Sequence, residues 1–298
     1  LTLHFYRMGN TDIDAYKQRF EAGLQLKTLD EQYRYNSTDG VMMLNGSASG
    51  IGIFCTTVEN SSRRFDTLFG HYSWNTTALK WDVLGLSELL AGKYEITDPG
   101  DREVLDSVTA RGATFYVTAR NACPIGFAVD YMLTEDEFMA IPLEQRALTL
   151  TQAAIVDESD LSGLAHSAVH KTNDFDYDSG LDALVNRTVQ NRVFDFHRDS
   201  HGFRCATAYD KDRLVYFSVP WSEGWKATVD GENAAVIDSG GMMALNVPAG
   251  SHTVVFTYHT PGFRLGAAVS AVSFCVFFAL CIFRRRIVTA KKEKHETA

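Results

Sequence analysis

The chain has 298 residues, of which 45% are hydrophobic, 12% aromatic and 22% charged. That is enough for one large or two ordinary domains with a substantial core, and it excludes a disordered chain. The net charge of −9 is uneven: from Gly262 onward seven Lys/Arg oppose two Asp/Glu, so residues 1–261 carry −14. An acidic body of that size excludes a nucleic-acid-binding surface, which needs clustered positive charge.

In chain order, Ile13, Tyr16, Phe20 and Leu24 follow the spacing of an amphipathic helix,. Phe65, Leu68, Phe69 and Tyr72 repeat it, as do Leu86, Leu89 and Leu90, which Gly92 stops before a short strand at 93–97,. Residues 114–118 and 127–133 read as strands, and Thr134-x-x-Glu137 is a capping-box pattern opening a further helix,. Residues 1–160 are expected to form a mixed α+β region, with 161–186 as a connection.

From 187 the pattern turns to short extended runs at 189–198, 203–209, 214–219, 226–229, 234–237, 242–247 and 253–259. Asp230-Gly231 is a two-residue hairpin signal, and Ser239-Gly240-Gly241 and Pro248-Ala249-Gly250 supply the next turns,. Residues 187–261 therefore predict an antiparallel β-sandwich.

Leu265–Phe283 then runs for 19 residues without a charge, about 28 Å as a helix and close to the hydrocarbon thickness of a bilayer. Arg284, Arg285 and Arg286 follow, then Lys291, Lys292 and Lys294. Positive charge beside a span marks the cytoplasmic side. The expected order is thus a body outside the cytoplasm, a transmembrane helix at 262–284 and a basic cytoplasmic tail at 285–298. The start, LTLHFYRMGN, has no initiator Met, basic n-region or apolar h-region, so a fragment lacking an upstream export or membrane region is expected. Cys55, Cys123 and Cys205 cannot all pair, and no Cys/His spacing suggests zinc,.

The stretch LVYFSVPWSEGWKATVDGENAAV, then LNVPAGSHTVVFTY, leading into a final apolar helix, resembles the C-terminal end of the bacterial YfhO membrane-protein family. The resemblance rests on Gly224-Trp225, Val229-Asp230-Gly231, Pro248-Ala249-Gly250, Phe256 and Tyr258. LLAGKYEIT at 89–97 is similar to another family segment, as is RNACPIGF at 120–127, where Cys123 replaces the usual Leu. The resemblance implies a polytopic protein similar to GT-C glycosyltransferases, which use polyprenyl-phosphate sugars at the outer membrane face. One branch is associated with lipoteichoic acid. The family's catalytic acid lies in an early loop between N-terminal helices, so no catalytic residue is carried onto this chain.

Among the residues themselves, Trp221, Trp225, Tyr216 and Tyr258 are candidates for contact with glycan or the membrane interface, against a plain role in the sandwich core. Asp195, His197, Asp199 and His201 alternate as on one strand face, with Phe194 and Phe196 on the other. Positions i and i+4 lie about 13 Å apart on a strand, so a solvated face is expected and no metal. Acid pairs such as Asp98/Asp101 and Glu135/Glu137 invite a glycosidase reading, but 35 acidic residues before Gly262 produce such pairs freely. No GxSxG, P-loop, HExxH or dinucleotide fingerprint occurs,, and no cofactor is expected. The reading is an accessory or acceptor-positioning part of a glycosyltransferase acting on cell-envelope polymer. Its partners would be the bilayer, a missing N-terminal transmembrane region, polyprenyl-phosphate sugar and cell-wall polymer. The alternative is a single-pass surface module that binds glycan or protein without catalysis.

Overall fold

A computed structural model describes residues 13–36, 59–70, 83–97 and 99–296, with side chains as far as Arg284. The chain forms two compact units, Leu1–Thr257 and Tyr258–Ala298. Cys55, Tyr72, Asp98 and the opening decapeptide lie outside the described residues.

The first unit begins with helix Ile13–Gln25, which buries Ala22 while Ile13 and Leu24 stay exposed, so its inner face is not the one the spacing suggests. Strands β1 (Arg34–Tyr35), β2 (Gly92–Ile96), β3 (Asp106–Ala110) and β4 (Ala113–Ala119) form a sheet in the order β1-β2-β4-β3. Arg111-Gly112 closes the β3–β4 hairpin at φ 48° and 79°, as a two-residue turn with both central residues left-handed requires.

The stretch expected as one strand at 127–133 divides. β5 (Gly126–Val129) pairs antiparallel with β11 (Arg213–Pro220), whereas β6 (Tyr131–Leu133) lies between β7 (Ala153–Ile155) and β8 (Val169–His170) in a small parallel sheet. Thr134 then caps helix Glu135–Met139, with the full reciprocal box to Glu137,. Helix Leu143–Leu150 follows, then Leu161–Leu164 and Gly180–Gln190. The last of these occupies residues read from sequence partly as connection and partly as strand. Leu184, Val185 and Thr188 form its buried face.

The sandwich is built from two sheets. One is β9 (Phe194–Arg198), β10 (Gly202–Tyr209), β12 (Trp225–Val229), β13 (Glu232–Ala234) and β16 (Gly250–Tyr258), in the order β13-β12-β16-β10-β9. The other is β14 (Val236–Ser239), β15 (Met242–Val247), β11 and β5, in the order β14-β15-β11-β5. Ala235 separates β13 from β14 and carries the chain from one sheet to the other, so the run expected at 234–237 is also shared between sheets.

Alternation explains the layering. Val215, Phe217, Met243, Leu245 and Val247 join Phe203, Cys205, Val254 and Phe256 in the core between the sheets,. Their neighbours Leu214, Tyr216, Met242 and Ala244 join Phe127, Val129 and the helical residues Phe138, Ala147 and Leu150 in a second core. The four-stranded sheet is therefore covered on both faces, and its central strands read as nearly continuous apolar runs. Among the described residues the five-stranded sheet is covered on one face, and β16 alternates exposed Thr253 and Val255 with buried Val254 and Phe256.

The second unit is one helix, Phe263–Glu296. Its portion Phe263–Arg284 is 22 residues with mean hydropathy 2.4 and none of its most apolar window is buried within the chain. At 1.5 Å per residue it spans about 33 Å, enough to cross a bilayer. The expected fold class holds: an α+β body with an antiparallel sandwich, followed by one membrane-length helix.

Candidate functional site

The most specific part of the sequence pattern converges on one end of the sandwich. Val229 pairs with Glu232, leaving Asp230-Gly231 as a two-residue hairpin at φ 52° and 90°. The Asp230 carboxylate accepts from the Thr253 backbone N–H at 2.7 Å, and the Asp230 N–H donates to Thr253 O at 2.9 Å. The other carboxylate oxygen faces His252 Nδ1 at 2.7 Å, while His252 Nε2 faces Ala249 O at 3.0 Å. An imidazolium can donate to both acceptors at once. The Asp230 hydrogen bond raises the His252 pKa, and His252 in turn lowers that of Asp230. The Ala249 N–H donates to Asp212 at 2.8 Å. The pair thus ties three turns together.

Trp225 and Trp221 both line the edge of the inter-sheet core and are half-buried. The Trp225 ring meets Phe203 and Phe256 edge-on at 5.8 and 6.4 Å, and its Nε1–H donates to Pro220 O at 3.2 Å. Trp221 is held by its backbone N–H to Gly241 O at 2.9 Å. Tyr258 is half-buried at the end of β16. Tyr216 has no exposed surface and packs on Phe127 at 5.5 Å in the other core, across the four-stranded sheet from the tryptophans. The four aromatics therefore do not share one face. Arg284 ends the apolar window, and Arg285 and Arg286 continue its helix.

The Asp/His run does not remain on one strand. β9 ends at Arg198, and Asp199 caps the following turn by accepting from His201 and Gly202 N–H at 2.7 and 2.9 Å. Asp195 sits at φ 49°, where the β9–β10 register slips. That bulge separates the two phenylalanines: Phe196 stacks on Phe203 at 5.1 Å in the core, whereas Phe194 is exposed. Among the described residues no three His, Cys, Asp or Glu gather as a metal site would require.

Glu135 and Glu137 have separate partners. Glu137 caps its own helix and meets His170 Nε2 at 2.9 Å; these hydrogen bonds lower its pKa against the opposing effect of desolvation. Glu135 holds Arg64, whose Nη1 donates to Asp238 at 2.6 Å. This Arg64 cluster joins helix Glu59–Leu68 to β14, and nothing in local spacing indicates it. Cys123 and Cys205 are free and buried, and burial pushes both thiols up to about 12, which leaves them unreactive.

Residues 164–270 match the family described as bacterial membrane protein YfhO. No curated protein and no solved structure matches the chain. The matched residues cover helix Gly180–Gln190, strands β8 to β16 and the first turns of the apolar helix. Sandwich strands, hairpin and the start of the membrane-length helix lie within the matched residues in the order the sequence resemblance requires, and over 164–270 the chain is similar to the bacterial membrane protein YfhO.

Proposed function

We propose that residues 1–261 act outside the cytoplasm as an accessory, acceptor-positioning part of a GT-C-type glycosyltransferase. The enzyme uses a polyprenyl-phosphate sugar and decorates a cell-envelope polymer such as lipoteichoic acid. Catalysis belongs to a transmembrane region other than the residues described, and the basic tail faces the cytoplasm. The observation that carries this reading is the family match across 164–270, which joins the sandwich to the start of the membrane-length helix. Charge supports the orientation: Arg284, Arg285 and Arg286, then Lys291, Lys292 and Lys294, follow the apolar run directly, the Lys/Arg bias that marks the cytoplasmic side of a span. Deleting the gene in its native bacterium and measuring sugar on the purified envelope polymer tests the proposal. The substituted fraction should fall and return on complementation, and an unchanged sugar content would refute it.

A further inference from the structure

The end of helix Gly180–Gln190, the residues after it, and the β10–β11 turn enclose a cleft of about 630 Å³, within the usual size of small-ligand sites. Its walls include Gln190, Arg192, Phe194, Tyr209, Asp210 and Arg213. The Tyr209 hydroxyl donates to Asn191 O at 3.3 Å and so joins two of these walls. Phe194 reaches the cleft because the bulge at Asp195 turns it away from the core. Arg192 is exposed, and its backbone is fixed by a bridge to Phe127.

Arg213 is the unusual group. It is 7% exposed at the start of β11. The ladder that sets Leu214 opposite Val129 brings Asp130 beside it, with Nη1–Oδ1 at 2.9 Å. Its Nε is buried and has no acceptor among the described residues. A guanidinium stays charged and presents its donors as a planar fork suited to oxyanions. A buried N–H left unpaired costs free energy that a ligand oxygen would recover.

We propose that this cleft binds a singly charged oxyanion, a phosphodiester or a carboxylate, through Arg213 and Arg192. The charge follows from the balance of groups. Asp130 already offsets Arg213, Asp210 adds a negative charge, and the carbonyl end of helix Gly180–Gln190 opposes multiply charged anions,. The exposed Phe194 ring gives the ligand's apolar part a surface.

The test is saturation-transfer NMR on the full chain in neutral detergent micelles. Dimethyl phosphate and sodium acetate serve as separate probes, each read at its methyl protons. Transfer should saturate with at least one probe and fall at least five-fold in Arg192→Gln and in Arg213→Lys. The lysine variant keeps the charge facing Asp130 but loses the Nε donor. Arg204→Gln, an exposed cation outside the cleft, should leave the signal unchanged. Response to dimethyl phosphate alone assigns a phosphodiester, to acetate alone a carboxylate, and to both a general oxyanion site. No transfer with either probe would overturn the proposal. So would transfer that survives Arg192→Gln, whose exposed side chain puts folding at no risk whatever Arg213→Lys does.

Discussion

Gly231 and Gly241 form a matched pair that separates backbone strain from steric collision. Their φ values are +90° and +93°, so alanine at either position incurs the left-handed penalty, about 1–2 kcal/mol. The surroundings differ. A Cβ at Gly231 would meet nothing within 4 Å, whereas one at Gly241 would lie 2.2 Å from the backbone oxygen of Ser61. That oxygen belongs to helix Glu59–Leu68 and cannot rotate away as a side chain could. The Ser239–Gly241 turn must separate from the helix, at a further cost of about 1–3 kcal/mol typical of overpacking. For a unit of this size about 2–4 °C accompanies each kcal/mol, so Gly241→Ala should melt a further ~2–12 °C below Gly231→Ala. Thermal unfolding of the full chain in detergent, followed by near-ultraviolet circular dichroism, measures the difference. Equal melting temperatures for the two variants would refute the reasoning and show that the turn is not seated on the helix.

Trp225→Ala should destabilise by about 2–4 kcal/mol, somewhat below the loss for a fully buried tryptophan, because the ring is half-buried against Phe203 and Phe256. An unchanged melting temperature with weakened binding to cell-wall polymer would instead make Trp225 a contact residue. Burial pushes the Asp66 carboxyl up to about 6. Its protonated form favours folding, so its contribution is full below pH 3.8 and is lost as pH rises through about 6. Asp66→Asn should therefore stabilise the chain by about 1–2 kcal/mol at pH 7.5 and have little effect at pH 3.5, as paired denaturant titrations would show. For the orientation, a cysteine engineered into the Pro248–Ser251 turn should react with an impermeant maleimide on intact cells, and one at Lys292 should not. The reverse labelling would invert the topology.

Local physical rules made several elements legible in advance. A charge-free apolar run needs no partner to declare itself, and the helix Phe263–Glu296 begins within three residues of the expected start. Asp230-Gly231 and the Thr134–Glu137 box are likewise set by neighbours in sequence, through backbone conformation in one case and reciprocal hydrogen bonds in the other. Helix Gly180–Gln190 had a readable signal in Leu181, Leu184, Val185 and Thr188, at helical spacing behind Ser179, but the β-rich stretch beside it obscured the pattern.

Sheet membership was decided only by tertiary structure. Residues 127–133 look like one strand because both halves are apolar, yet β5 completes the sandwich and β6 completes a parallel sheet. Residues 232–239 divide between the two sandwich sheets for the same reason. Periodicity records that a residue is buried, not which layer buries it. The bulge at Asp195, which frees Phe194 for the cleft, and the Arg213–Asp130 pair, which leaves one guanidinium N–H unsatisfied, depend on register between strands distant in sequence. By itself, then, the sequence determined the membrane-length helix, the hairpin and the broad α+β-to-sandwich order, all consequences of local composition and turn chemistry. The three-layer packing and the cleft arose only when strand pairing chose a partner and a face for each residue.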